Sequence, residues 1–363
     1  MKYLKSPWLE GIIMLLAVLI GFLCLTVLAH LADYTVAGEM ATGNIVLIIF
    51  TFFVLSVIIA MIGVIAGIGG GVIFTPIMLA FTSVNSLVVR ATGIIVSMFS
   101  SPVSIGIFTK KGLVNFRLCL IMAISQSIGA FIGATIAIAT AAGAGAFGEG
   151  LMRFSLGILL LLLAAYFFFG GKNLEWPVIK HVDKFTAALK LEHSYFEESE
   201  GVVKHYKLRR AFIGMLLIFA VGLIGGFFGM GGGWAITPTL NLGMGVPLKL
   251  SSVNSGIILG LSGGVSVWPF MATGSVIPLF VMPWLAGQVI GGFLGSHLLA
   301  KIRVSAVRMI LIGIMFFTSF TLVMAGLEMI GLIRGTAAIV DVIMFIVIML
   351  CVGVSIVRQH KRS

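Results

Sequence analysis

A ten-residue glycine-rich stretch occurs twice in this chain, and that repetition constrains its fold more than any other feature. Gly67-Ile-Gly-Gly-Gly-Val-Ile-Phe-Thr-Pro76 returns 162 residues later as Gly229-Met-Gly-Gly-Gly-Trp-Ala-Ile-Thr-Pro238. The same displacement aligns Gln126-Ser-Ile-Gly-Ala-Phe-Ile-Gly133 with Gln288-Val-Ile-Gly-Gly-Phe-Leu-Gly295. Two matches at one constant offset mark a duplicated unit, so the fold must be built from two copies of it.

Both copies lie in apolar sequence. The chain is 60% hydrophobic and 10% charged, whereas a soluble domain carries about 25% charged residues. Runs of about 20 apolar residues read as transmembrane helices, and they fill most of the length. The net charge of +11 sits in short loops between spans. That is the positive-inside pattern of a membrane protein and not a nucleic-acid surface. Cys24, Cys119 and Cys351 stand alone, without a disulfide framework or metal-ligand spacing. Neither a metal nor a cofactor is expected.

The expected fold is an all-α polytopic membrane protein with two five-element repeats and one extra helix at each end. Residues 1–43 hold a first transmembrane helix over Gly11 to Ala29 and an external loop. The first repeat, 44–171, carries a helix to Ala66, a short one from Gly71 to Phe81, and three longer ones near 91–109, 118–141 and 152–170. The second repeat, 211–326, copies it with helices at 211–228, 233–243, 252–272, 278–299 and 304–325. Residues 327–363 supply a last span over Thr336 to Val357 and a basic tail.

The short second element of each repeat is ambiguous, because eleven apolar residues barely cross a bilayer. Charge decides its parity. If each short element returns the chain to the face it left, twenty of the 23 Lys/Arg fall on one side, with Arg90, Arg153 and Arg334 opposite. If it does not, the split is 11 to 12. The positive-inside rule selects the first count, with both termini cytoplasmic. An odd number of elements per repeat then inverts the second repeat relative to the first, the architecture of many secondary transporters. The glycine motifs are either broken helices or the tips of re-entrant hairpins.

Between the repeats, residues 172–210 carry eight basic and six acidic side chains. Val178, Val182, Phe185 and Leu189 recur on one helical face after Pro177, which predicts a cytoplasmic linker with an amphipathic helix on the membrane. A regulatory or partner-docking segment is the alternative.

The Gly-x-Gly-Gly-Gly motif lacks the Gly-Lys-Ser/Thr ending of a phosphate loop, and Val72 and Trp234 stand where a dinucleotide fingerprint needs a third glycine. Within a membrane, consecutive glycines let the backbone turn sharply and approach a ligand. Irregular backbone survives there only when buried in protein or lining a watery cavity. A helix that starts at such a turn presents unpaired N–H groups and a positive dipole end, which suit an anion. The competing role is close helix packing, and it is the expected role of Gly63, Gly93, Gly129, Gly225 and Gly291.

The candidate binding set is therefore Gly67, Gly69, Gly70 and Gly71 with Thr75 and Pro76, and Gly229, Gly231, Gly232 and Gly233 with Thr237 and Pro238. Gln126 and Gln288 join it as repeat-equivalent amides inside apolar spans, where they donate either to an anion or to a neighbouring helix. Thr92, Asn254 and Ser255, with Ser97, Ser100, Ser101 and Ser262, give the third helices a polar lining. No Asp or Glu lies in the middle of a span, and His297, whose equivalent is Thr135, is read as a packing residue. Arg90 and Lys249 precede the third helices on opposite faces and are expected to snorkel.

Two copies of Gly-x-Gly-Gly-Gly-x-x-x-Thr-Pro, each opening one half of a polytopic chain, resemble the sulfite exporter TauE/SafE family of membrane permeases over about residues 44–326. The resemblance implies secondary transport, with export of a small sulfur-containing or carboxylated anion such as sulfite or a sulfonate, across a prokaryotic plasma membrane. It carries over Gly67, Gly69–Gly71, Gly229, Gly231–Gly233, Pro76 and Pro238. The first span, the central loop and the last span depart from the compact family core. The implied partners are a small anionic substrate and the lipid bilayer. Two other classes compete with transport: a structural or assembly protein, and an integral-membrane enzyme such as a lipid-pyrophosphate phosphatase. The enzyme needs a cluster of acidic, Arg or His groups, which the mid-span segments lack apart from His297.

Overall fold

The structure, a computed structural model, describes residues 42–66, 69–81, 84–99, 108–109, 112–169, 179, 181–197, 202–299 and 304–333. The expected first span over 11–29 and last span over 336–357 lie outside the described residues, as does Gly67.

Eleven α-helices are described. The first half contains α1 (Thr42–Ala66), α2 (Gly71–Phe81), α3 (Ser86–Phe99) and α4 (Phe116–Phe169). The long α4 is two helices joined at Gly145, whose φ of 50° and ψ of −137° break the ladder. The residues expected to connect two helices near 142–151 are thus largely helical. After α5 (Lys184–Ala188) and strands β1 (His193–Glu197) and β2 (Val202–Tyr206) come α6 (Ala211–Phe228) and α7 (Gly233–Pro238). The chain then continues through α8 (Leu248–Ser266), α9 (Trp268–Ala272), α10 (Pro278–Leu299) and α11 (Val304–Met329). Among the described residues, four segments are long and apolar enough to cross a membrane: Phe116–Gly143, Gly145–Tyr166, Ala211–Phe228 and Leu248–Ala272.

The 162-residue displacement recurs in the elements themselves. Helices start at Gly71 and Gly233, at Ser86 and Leu248, and at Phe116 and Pro278. Pro238 ends α7 and a π-helical turn, Thr239–Gly243, completes the second short element at the residue equivalent to Phe81. Pro76 is accommodated inside α2.

Packing exchanges elements between the halves. The first arm of α4 lies along α6, and α10 lies along α1. A Cβ on Gly129 would strike the Phe219 carbonyl, and one on Gly291 would strike that of Val57, the position equivalent to Phe219. These glycines, like Gly93 and Gly225, admit a neighbouring backbone, as expected of packing positions. The second arm of α4 meets α11. There the Ser319 hydroxyl donates to the carbonyl of Gly157, its own equivalent, at 2.7 Å. Inside, Phe74 and Phe52 close on the fully buried Trp284, with ring centroids 4.5 and 5.4 Å apart.

The central loop differs from its expected form. Among its described residues, helix is limited to Lys184–Ala188, capped by the Asp183 carboxylate on Thr186 N, and Val182 precedes it. The chain then forms an antiparallel hairpin in which Tyr195 pairs with Lys204 and His193 with Tyr206. Tyr195 and Tyr206 are buried against Leu113, Leu208 and Val246. The hairpin is tied down by Asn115, whose Nδ2 donates to the Leu191 carbonyl at 2.8 Å and to the Tyr206 hydroxyl at 3.3 Å. Burial pushes the Tyr206 hydroxyl up to about 12. The apolar period ends at Leu189, and the two tyrosines beyond it are buried in a hairpin docked on the bundle.

Candidate functional site

Gly69 and Gly231 have φ of 80° and 69°, a backbone conformation that glycine adopts without strain. They turn the chain into α2 and α7. The carbonyl of Gly70 accepts from Ile73 N at 3.2 Å and Phe74 N at 2.9 Å. Gly232 does the same for Ala235 and Ile236, each at 3.0 Å. The first N–H groups of each helix are left without an intrahelical acceptor. Gly232 itself has φ −122°, and positive φ occurs at Gly69, Gly229 and Gly231 instead of the middle glycines.

The two turns meet. The Thr75 hydroxyl donates to the Gly229 carbonyl at 2.7 Å, and the Ser97 hydroxyl to that of Met230 at 3.0 Å. A Cβ on Gly71 would press on Ser97 Oγ and on the carbonyls of Gly93 and Met230. Hydroxyls of the first half thus bond backbone carbonyls of the second turn, 154 and 133 residues away in sequence, and leave no room for a side chain on the third glycine of the first triplet.

Gln126 and Gln288 are crossed over these turns. A methyl group on Gly70 would overlap the Gln288 amide, and one on Gly232 would overlap that of Gln126. Each glutamine therefore covers the middle glycine of the other repeat's turn. Gln288 is fully buried and Gln126 nearly so. The Gln288 Nε2 donates to Ser56 Oγ at 3.3 Å, while Oε1 of both glutamines is buried without a partner. A primary amide turned end for end presents N–H in place of C=O, so either polarity is available there. Gln126, Ser97, Ser262, Ser266 and the Gly231 backbone line a small cavity of about 10 Å³, room for about one water.

The remaining candidates divide. Ser255 Oγ accepts from Thr237 at 2.9 Å beside the second turn. Thr92 is buried and bonds back to the Val88 carbonyl at 2.8 Å. Asn254 belongs to a structural network: it accepts from Asn115 N at 2.9 Å and donates to the Leu250 carbonyl at 2.7 Å. Its amide anchors the loop before α4 and is not free for a ligand. Ser100, Ser101 and the His297 side chain lie outside what is described. Lys249 is exposed near the start of α8.

Arg90 does not snorkel. Its side chain is 1% exposed, with Nη2 3.8 Å from Glu149 Oε2 and the guanidinium 5.9 Å from the Phe227 ring centre. Glu149 accepts from Ser86 Oγ at 2.7 Å and from Arg153 Nε at 3.3 Å, and Arg153 Nη1 donates to the Leu79 carbonyl at 2.7 Å. Hydropathy along the chain gives no sign of this cluster, which forms when the start of α3 packs beside the bend of α4. Ser56 and Ser266 were also missed, as isolated hydroxyls in apolar helices.

A sequence profile of the sulfite exporter TauE/SafE family matches residues 52–322, both glycine turns and both glutamines included. The chain belongs to the sulfite exporter TauE/SafE family. As a member of this family it is a multi-pass membrane transporter and not an enzyme. It is 25% identical over 283 residues to "Probable membrane transporter protein YunE" of Bacillus subtilis (strain 168), covering 76% of this chain and 97% of that protein. No solved structure matches it.

Proposed function

We propose that this transporter is a secondary carrier of a small anion, exporting sulfite, a sulfonate or a related organic anion across the plasma membrane. The observation that carries the site is the crossing of Gln126 over Gly232 and of Gln288 over Gly70. It sets a buried amide beside each of the two helix starts, a source of N–H donors, without a full cationic charge. An anion held this way is bound through dipoles, loosely enough to be released. The anionic class also agrees with the family's description as sulfite exporters.

The two halves, 44–171 and 211–326, act in this scheme as inverted repeats around the site. Contact between Gly157 and its equivalent Ser319 supports a two-fold relation, since equivalent residues touch only near a symmetry axis. The termini and the 172–210 loop are assigned to the cytoplasm on the distribution of Lys and Arg. The test is counterflow in proteoliposomes preloaded with sulfite, sulfoacetate, oxalate or sulfate. Saturable exchange of labelled sulfite or a sulfonate is the expected result. Absence of exchange with all four anions overturns the proposal.

A further inference from the structure

The Arg90 cluster lies apart from the crossed glutamines, and its hydrogen bonding is incomplete. Nε and Nη1 of Arg90 are buried without a partner. Among the described residues its acidic neighbour, Glu149, stands at 3.8 Å, beyond hydrogen-bond reach, and is already engaged by Ser86 and Arg153. A buried guanidinium with unmet donors is strongly disfavoured unless something accepts from it. Arg90, Glu149 and Arg153 together carry a net single positive charge, the complement of a monoanion.

Position adds a second argument. Arg90, Gly93 and Ser97 follow one another along α3 at helical spacing, all facing the second glycine turn. A Cβ on Gly229 would strike Arg90, and one on Gly93 would strike the Gly229 carbonyl. Ser97 bonds Met230 and lines the cavity with Gln126. At 1.5 Å per residue, Arg90 is thus about 10 Å along the helix from that cavity. The equivalent of Arg90 is Ser252, exposed and uncharged, so the cluster at the end of the bundle that holds Arg90 has no counterpart at the repeat-equivalent position. That end is opposite the hairpin, which packs against residues 112–115 before α4 begins.

We infer that Arg90 anchors a second anion subsite, at which a small oxyanion accepts from the guanidinium beside the Gly229 turn before or after occupying the glutamine site. The inference rests on the anion-transport proposal. On arrival, the anion takes the free donors and Glu149 stays with Ser86 and Arg153. Glu149 then acts as a competing negative charge that weakens binding and assists release.

The experiment is binding of labelled sulfite to the purified full chain, with thermal melting measured on the same samples, for Arg90→Gln, Arg90→Lys and Glu149→Gln. Loss of one charged hydrogen-bonding group predicts about tenfold weaker binding for Arg90→Gln. Arg90→Lys is expected to recover part of that loss, and Glu149→Gln to bind more tightly than the parent. Parental affinity in Arg90→Gln overturns the inference, as does weaker binding in Glu149→Gln. If Arg90→Gln does not fold, the opposite signs expected for Arg90→Lys and Glu149→Gln decide the matter. Failure of the parent chain to bind or exchange any of the four anions refutes the transport proposal instead.

Discussion

A single methyl group should distinguish glycines that face the ligand from glycines that face a helix. At Gly70 an added Cβ meets the far end of Gln288, which can swing away at the expense of its bond to Ser56. That bond contributes about 0.5–1.5 kcal/mol, and at the N-cap position that Gly70 occupies alanine offers no compensating gain over glycine. Stability should therefore fall by no more than about 0.5–1.5 kcal/mol, the contribution of that one hydrogen bond. At Gly232 the neighbours are the Gln126 amide and the tips of Val221 and Ile236, also movable. At Gly129 and Gly291 the obstacle is the backbone carbonyl of Phe219 or Val57, so whole helices must separate. Overpacking of that kind costs about 1–3 kcal/mol. For binding the order reverses. An anion at a partly buried helix end gains up to about 2 kcal/mol, so obstructing one turn should weaken affinity by about tenfold or more. Labelled-sulfite affinity and melting temperature of Gly70→Ala, Gly232→Ala, Gly129→Ala and Gly291→Ala test this directly. Triplet variants that melt early yet bind normally would refute the reasoning and make the motif a packing device.

Four further outcomes are expected. Single cysteines placed near Lys184 and Glu39 should label from opposite sides of the membrane, and labelling from one side would remove the basis for inverted repeats. Asn254→Ala should lower the melting temperature by leaving Asn115 N–H without its acceptor, a loss of about 1–3 kcal/mol, with sulfite affinity unchanged. His297→Gln should keep a substantial part of transport, and loss of its pH dependence in a folded protein would instead make His297 a proton carrier. The raised pKa of Tyr206 means that its contribution is intact below about pH 10, the unfolded value. That contribution should be lost as pH rises toward about 12, and Tyr206→Phe should flatten this part of the stability profile.

Much of the architecture was legible because duplication and hydropathy act along the chain. Helix starts at Gly71 and Gly233 fall where the sequence places them, whereas the third helices begin at Ser86 and Leu248, ahead of the expected 91 and 252. The pairing of Gln126 and Gln288 as equivalents was legible too, but their exchange between turns was not, since it depends on how α4 and α10 pack across the halves. Arg90 was misread for a related reason: its neighbours Glu149 and Phe227 are distant in sequence, and a lone arginine near a helix start reads as exposed. The hairpin was missed because its strands, His193–Glu197 and Val202–Tyr206, show no clean alternation of apolar and polar residues. Asn254 looked like a lining residue until Asn115, on a loop with no strong signal, accounted for its amide.

The central claim is that the crossed glutamines and the glycine turns hold the transported anion. It is tested most directly by counterflow of labelled sulfite through proteoliposomes containing the parent chain or the double variant Gln126→Ala/Gln288→Ala, matched for amount and melting behaviour. The account predicts saturable exchange by the parent and at least a tenfold loss of affinity in the double variant, about 1.4 kcal/mol or more. Exchange by the folded double variant with parental affinity would contradict it.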